Sequence, residues 1–252
     1  MQATSRLASE QAFHDRQATA RAADLAADET LRQIDDAYVD HETWIRPAFA
    51  RLGPVQGLRV LDYGCGHGMA AVVMARRGAC VTGFDLSNGY LQEAQRRARA
   101  NGVAIDFAQA DGERLPFADC TFDRIWGNAV LHHLDLRVAG RELRRVLKPD
   151  GCAVFCEPWG ENPLLRWARR RLPYPGKERT PDEEPLGRQH VEILREIFPC
   201  MTTEGYQLIS MARRVLRGGR LVNVLDHWDA MLLERIPRLQ QYCRYVVLTL
   251  AA

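Results

Sequence analysis

Lysine is almost missing from this 252-residue chain: Lys148 and Lys177 stand alone among 34 basic side chains, the rest being arginine. Charge of one sign is missing too, since 32 acidic residues leave a formal charge of +2. That gives no electrostatic footprint for wholesale nucleic-acid binding. No window holds 18 uninterrupted apolar residues, which excludes an ordinary membrane-spanning helix. Residues 1–21 lack the apolar stretch of a secretory signal, and the seven cysteines are odd in number and scattered, unlike a secreted disulfide framework. These absences place the protein in the cytoplasm, without a nucleic-acid partner. What is present, 46% hydrophobic and 26% charged residues, suffices for a packed core.

Two helical stretches, residues 10–31 and 34–52, open the chain. After the breakers Gly53, Pro54 and Gly57 the texture changes. Short apolar runs at 58–62, 80–85, 104–110, 122–127 and 152–157 alternate with helical segments, the mark of a parallel sheet covered on both faces. Ser87 is placed to cap a helix that stops at Asn101-Gly102, and Lys148-Pro149-Asp150-Gly151 reads as a turn into the fifth strand. Eight of the twelve prolines fall between Pro149 and Pro199, marking a loop-rich insertion of the kind that carries substrate choice. Residues 206–210 and 245–250 are predicted as the last strands, separated by a helical hairpin over 211–242. The expected architecture is α/β: a Rossmann-like, doubly wound, mostly parallel sheet of seven strands. Residues 1–56 would form a helical lid, 57–158 the cofactor-binding core, and 159–252 a substrate cap with the remaining strands.

The most informative segment is Val60-Leu61-Asp62-Tyr63-Gly64-Cys65-Gly66-His67-Gly68, a strand running into a glycine-rich turn and then a helix over 69–77. Glycines let the backbone bend tightly beside a ligand, and free amides at a helix start favour a negative group. Met69 stands where a dinucleotide fingerprint wants its third glycine or alanine, which demotes NAD. Asp85 ends the second run, where a carboxylate can accept both hydroxyls of a ribose. Asp111 ends the third, placed to meet an adenine amino group.

These pieces, with Gly83-Phe84-Asp85-Leu86-Ser87, the Asp111–Pro116 stretch and Leu147-Lys148-Pro149-Asp150-Gly151, resemble the class I S-adenosylmethionine-dependent methyltransferases, and within them the type-11 small-molecule group. The match is dense over residues 58–158 and loose elsewhere. The resemblance implies S-adenosyl-L-methionine as cofactor and S-adenosyl-L-homocysteine as product. It further implies that Gly64 and Gly66 line the methionine portion, that Asp85 holds the ribose, and that Asp111 with Gly112 flanks the adenine. Asn128 would sit near the amino-acid end; Asp62, Cys65 and Leu86 complete the expected cofactor set. Tyr63 and His67 fall at variable positions and receive no role.

Methyl transfer from a sulfonium is an in-line displacement whose leaving group needs no acid, so alignment and dehydration dominate. A base helps only when the acceptor is a hydroxyl or a protonated amine. His132 and His133, after the fourth strand, are poised for that proton transfer, and the pair resembles the His-His of small-molecule O-methyltransferases in natural-product pathways. Glu157, at the end of the fifth strand, could orient a histidine or bind substrate. In the N-terminal helices, His14 or Tyr38 could border the substrate if the segment forms a lid; an ordinary packing face explains them equally. Cys152 and Cys156 share one strand face, but without a third ligand nearby they read as buried apolar cysteines, and no metal is expected.

Residues 164–172 are amphipathic and basic, and between residues 158 and 220 there are 12 basic and 8 acidic side chains. The plain explanation is a solvated helix face; an alternative is weak contact with a membrane, as for a quinone or lipid methyltransferase. The expected activity is methyl transfer to an oxygen, nitrogen or carbon of a small-molecule acceptor in specialised metabolism. A non-catalytic cofactor-binding protein is the rival from another class. RNA modification is disfavoured by the charge and by Gly127-Asn128-Ala129-Val130 in place of a base-binding motif.

Overall fold

The computed structural model describes residues 2–24, 28–171, 184–214 and 220–251. The chain opens with α1 (Gln2–Asp24), a 3-10 turn, α2 (Asp35–Val39) and α3 (Ile45–Leu52). It continues through β1 (Arg59–Tyr63), α4 (Met69–Arg76), β2 (Cys80–Asp85), α5 (Asn88–Ala100), β3 (Asp106–Gln109), β4 (Phe122–Asn128), α6 (Leu136–Val146) and β5 (Leu147–Pro158). Then come α7 (Pro163–Arg171), α8 (Arg188–Ile197), β6 (Cys200–Tyr206), α9 (Arg220–Arg235) and β7 (Tyr245–Ala251).

The seven strands form one sheet in the order β3-β2-β1-β4-β5-β7-β6, parallel except for β7, which runs antiparallel to both neighbours. Strand order reverses between β1 and β4, so a crevice opens at their carboxyl ends, the place where doubly wound sheets bind ligands. Both faces are covered, so successive residues of β1 enter different cores: Leu61 and Tyr63 join Phe122 and Phe155 against α6 and α8, whereas Val60 packs with Met74, Trp126 and Val154 against α3 and α4. Two of the helices start where a side chain satisfies free amides. Ser87 accepts from the Tyr90 N–H at 3.2 Å at the head of α5, and Asp135 accepts from Arg137 N at 2.9 Å at the head of α6, each cap contributing about 1 kcal/mol. In α6, Leu136, Ala139, Gly140, Leu143 and Val146 make the buried stripe.

Four local expectations are corrected. The second N-terminal helix is two, α2 and α3, separated by tight turns in which the His41 N–H donates to the Tyr38 carbonyl (3.2 Å) and the Ile45 N–H to the Glu42 carbonyl (3.3 Å); Arg46 spans the break to Asp36 (2.7 Å) and Asp40 (2.5 Å). The sixth strand is Cys200–Tyr206 rather than residues 206–210; it is an edge strand pairing only with β7, and its polar Thr202, Thr203 and Glu204 hid it. Lys148-Pro149-Asp150-Gly151 lies within β5, where pairing to β4 jumps from Phe122↔Leu147 to Arg124↔Cys152, so the turn is absorbed as an irregularity. The hairpin expected over 211–242 contains one long helix, α9, with 3-10 turns at Ser210–Arg214 and Pro237–Tyr242. Of the proline-rich stretch, residues 172–183 lie outside the described residues.

Candidate active site

The glycine turn leaves β1 in a conformation side chains resist. Gly64 has φ +65° and Gly66 has φ +50°. A Cβ on Gly64 would sit 2.6 Å from Val130 Cγ2, while one on Gly66 would meet no atom within 4 Å and project into open space. Beside the turn lies a cavity of about 290 Å³, walled by the ends of β1, β2 and β4, by residues 110–112 after β3, and by α1 and Tyr38. The expected cofactor residues Asp62, Gly64, Cys65, Gly66, Asp85, Leu86, Asp111, Gly112 and Asn128 all line it, and His14, Tyr38 and His133 do so as well.

Asp85 stitches the turn to β2: Oδ2 accepts from Gly66 N at 2.8 Å and Oδ1 from Ser87 N at 2.9 Å. Burial raises its pKa, and these amide bonds pull the other way. Asp111 Oδ1 accepts from Glu113 N (2.9 Å), while the buried Tyr63 hydroxyl donates to the Gly112 carbonyl (2.7 Å), so Tyr63, given no role from sequence, fixes the far wall. The Leu86 carbonyl accepts from Gln109 Nε2 at 3.0 Å. Burial holds the Cys65 thiol well above its ordinary pKa, so it is a neutral wall atom.

Asp62 differs from the other two acids. It is 2% exposed, and Oδ2 has no hydrogen-bond partner among the described residues. Burial is the main cause of a pKa pushed up to about 7, against a backbone hydrogen bond from Ala71. A buried, unsatisfied carboxyl on a cavity wall requires a donor, and a ligand ammonium is the natural one. That orphan atom, the open space at Gly66 and the carboxylates at the ends of β2 and β3 together fit a nucleoside carrying a cationic amino-acid end.

The two histidines separate. Glu157 Oε1 accepts from Val130 N (2.9 Å) and Leu131 N (2.8 Å), and Oε2 lies 2.7 Å from His132 Nδ1. Glu157 and His132 are therefore brought together behind the cavity wall. His133 faces the cavity, its ring centroid 4.1 Å from that of His132 and 5.7 Å from that of His14 on α1. Between them and β4, Ala129 takes the left-handed conformation (φ +57°) and its N–H reaches the Cys156 carbonyl at 2.7 Å.

Helix α1 is laid across α5. Asp15 Oδ1 accepts from Ser87 Oγ (2.5 Å) and Gly89 N (3.3 Å), Tyr90 Oη donates to Gln17 Oε1 (3.0 Å), and Arg21 pairs with Glu93 (3.3 Å). This seats Glu10, His14 and Gln17, one helical stripe, on the cavity. Glu10 and Gln17 were missed in the sequence, although the i, i+4, i+7 spacing with His14 was there to read. His67 also lines the cavity, its pKa lowered by burial. No described residue beyond Leu134 contributes to the wall, so the described part of the cap stands outside it. No three His, Cys, Asp or Glu among the described residues are grouped to hold a metal.

Fold and site define a nucleotide-type cofactor domain. Residues 61–155 match the family model described as a methyltransferase domain. Among curated proteins, the chain is 41% identical over 122 residues to "Methyltransferase GfsG" of Streptomyces halstedii, covering 47% of this chain and 44% of that one. It is 34% identical over 158 residues to a ubiquinone biosynthesis O-methyltransferase of Rhizobium leguminosarum bv. trifolii, covering 56% and 61%. The chain thus spans less than two thirds of the length of these relatives. Among solved structures, the [4+2]-cyclase SpnF has the same fold with a TM-score of 0.56 at 24% identity, over 82% of this chain and 80% of that one.

Proposed function

We propose that this protein transfers the methyl group of S-adenosylmethionine to an oxygen, nitrogen or carbon of a small, partly apolar metabolite in specialised biosynthesis, acting in the cytoplasm. The observation that carries the reading is the orphaned Asp62 carboxyl on the same cavity as the glycine turn, Asp85 and His133. Relatives named as methyltransferases support it. In this reading residues 1–56 are the lid, 57–158 the cofactor core and 159–252 the cap. Asp62 holds the ammonium with Asn128 nearby, Asp85 the ribose hydroxyls, and Asp111 with Gly112 the adenine.

The bound cofactor supplies an electrophilic methyl on a sulfonium. His133 accepts the proton of an acceptor hydroxyl or ammonium, which restores a nucleophilic lone pair. Glu157 and His132 act through His133 by clamping the loop that carries it. The lid, with His14 and Tyr38 toward the acceptor, excludes water and holds the reactants in line, an effect that reaches roughly 7–11 kcal/mol in well-oriented reactions.

Calorimetry with S-adenosylmethionine and S-adenosylhomocysteine tests the site. Micromolar binding that Asp85→Ala abolishes is expected; a folded protein that binds neither ligand would overturn the reading. Because one fold hosts many chemistries, transfer itself needs a second measurement, incorporation of labelled methyl into small molecules of a cell extract. Binding without incorporation would favour a non-catalytic cofactor-binding protein.

A further inference from the structure

A second cavity, of about 420 Å³, shares no described wall residue with the first and falls inside the roughly 300–1,000 Å³ span of ligand pockets. It lies where α8 meets the β6 edge of the sheet and the 3-10 turn Pro237–Tyr242. From α8, Arg188, Val191, Glu192 and Arg195 face it, the i, i+3, i+4, i+7 spacing of one helical stripe. Trp159, 6% exposed, is an aromatic wall: its Nε1–H donates to the Gln241 carbonyl (3.0 Å) and its amide to the Arg244 carbonyl (2.9 Å). The turn packs hard on the edge strand, since a Cβ on Gly205 would fall 2.5 Å from the Gln240 carbonyl oxygen.

Three guanidinium groups stand on this wall, those of Arg188, Arg195 and Arg238, against one carboxylate, Glu192. Arg188 is already engaged, with Gln241 and, at 3.8 Å, with Glu161 outside the cavity. Arg195 and Arg238 make no ion pair and no side-chain hydrogen bond with any described residue. With Arg188 and Glu161 offsetting each other, the wall is still cationic, and two guanidinium forks are left for an anion. Beside them Trp159, Val191 and Val246 are buried apolar surface. Guanidinium forks match phosphate oxygens in pairs, and a phosphate monoester brings three such oxygens with a charge of roughly −1.5 to −2 at neutral pH. The cavity lies one strand from the active-site clamp: Val246 on β7 is opposite Glu157 on β5 and opposite Gly205 on β6, and opposed residues leave a sheet on the same face.

We propose that this second cavity binds a phosphate monoester with a compact apolar body, its phosphate held by Arg195 and Arg238 and its body against Trp159, Val191 and Val246. The site is separate from the cofactor cavity, and its test reads binding alone. The probe is 1-naphthyl phosphate, titrated into the full chain in a calorimeter beside 1-naphthol and 1-naphthoate. Expected is one site per chain, at least about tenfold tighter for the phosphate than for either comparison compound. Arg195→Gln and Arg238→Gln, at exposed positions without partners, should each weaken it about tenfold with the melting temperature unchanged. Thr203→Phe, which fills the cavity from β6 without altering charge, should weaken it as well. Asp85→Ala, a change in the other cavity, should bind the probe as the parent does. Equal affinity for the three compounds, no binding at millimolar probe, parent-like binding in both arginine variants, or loss in Asp85→Ala alone would overturn the proposal.

Discussion

His132 Nδ1 lies 2.7 Å from Glu157 Oε2, and this contact divides the work of two adjacent histidines. Glu157 is completely buried and also holds the Val130 and Leu131 amides. Glu157→Ala strands both amides and the imidazole in a dry interior, for an expected loss of about 3–5 kcal/mol in urea unfolding. Glu157→Gln keeps an oxygen for the amides, and about 1–2 kcal/mol is expected. Equal losses in the two variants would show that the loop does not hang on this acceptor.

His133 stands on the other side of that division. Once an acceptor is in hand, His133→Ala is expected to lower turnover about 10²–10⁴-fold and remove the acid limb of the pH–rate profile, with S-adenosylhomocysteine affinity unchanged. His132→Ala should lower turnover less and leave the shape of the profile intact, as a positioning residue would. An unchanged rate in His133→Ala ends its assignment as the base.

The sheet was legible because its inner strands are buried on both faces and read as short apolar runs punctuated by glycine and proline; β2 was bounded at the same residues, 80–85, in sequence and structure. β6 was not, since an edge strand with one neighbour tolerates Thr202, Thr203 and Glu204. The glycine turn and its acids were readable from spacing along the chain. The roles of His132 and His133 were not, because they depend on a carboxylate 25 residues away on the next strand. Tyr63 was overlooked for the same reason: its partner, the Gly112 carbonyl, lies 49 residues on.

In the proposed site, Asp62 should make cofactor binding depend on pH. Its carboxyl has an ordinary pKa of 3.8 and is held at about 7 by burial. Between these values the folded protein keeps a proton that the unfolded chain has lost, so Asp62's contribution to stability falls as pH rises through that window and levels off above it. A ligand ammonium needs the ionised form. S-adenosylhomocysteine affinity should therefore rise up to about tenfold per pH unit below 7 and flatten above, measured by calorimetry across the range. In Asp62→Asn the affinity should be lower and nearly flat; a slope that survives in that variant assigns the proton to another group.

In the proposed lid, Asp15 is the latch. Its Oδ1 takes the Ser87 hydroxyl (2.5 Å) and the Gly89 amide (3.3 Å), which sets a carboxylate at the positive end of α5 while Ser87 caps the same helix. The helices meet closely there, since a Cβ on Gly89 would lie 2.8 Å from Ala18 Cβ. Asp15→Ala removes both hydrogen bonds without touching the sheet, so about 1–2 kcal/mol should leave the docking of α1 rather than the core. A closed lid stabilised by that much less is populated roughly 5–30-fold less relative to the open one. Because α1 carries Glu10, His14 and Gln17 onto the cavity, the opening should appear as faster release of S-adenosylhomocysteine in stopped-flow, with a smaller change in its association rate. Proteolysis within α1 should accelerate in parallel. Gly89→Ala, which wedges the same contact, should move both readouts in the same direction; if release stays at the parent rate while α1 is cleaved faster, the helix opens without guarding the cofactor, and the lid covers only the acceptor.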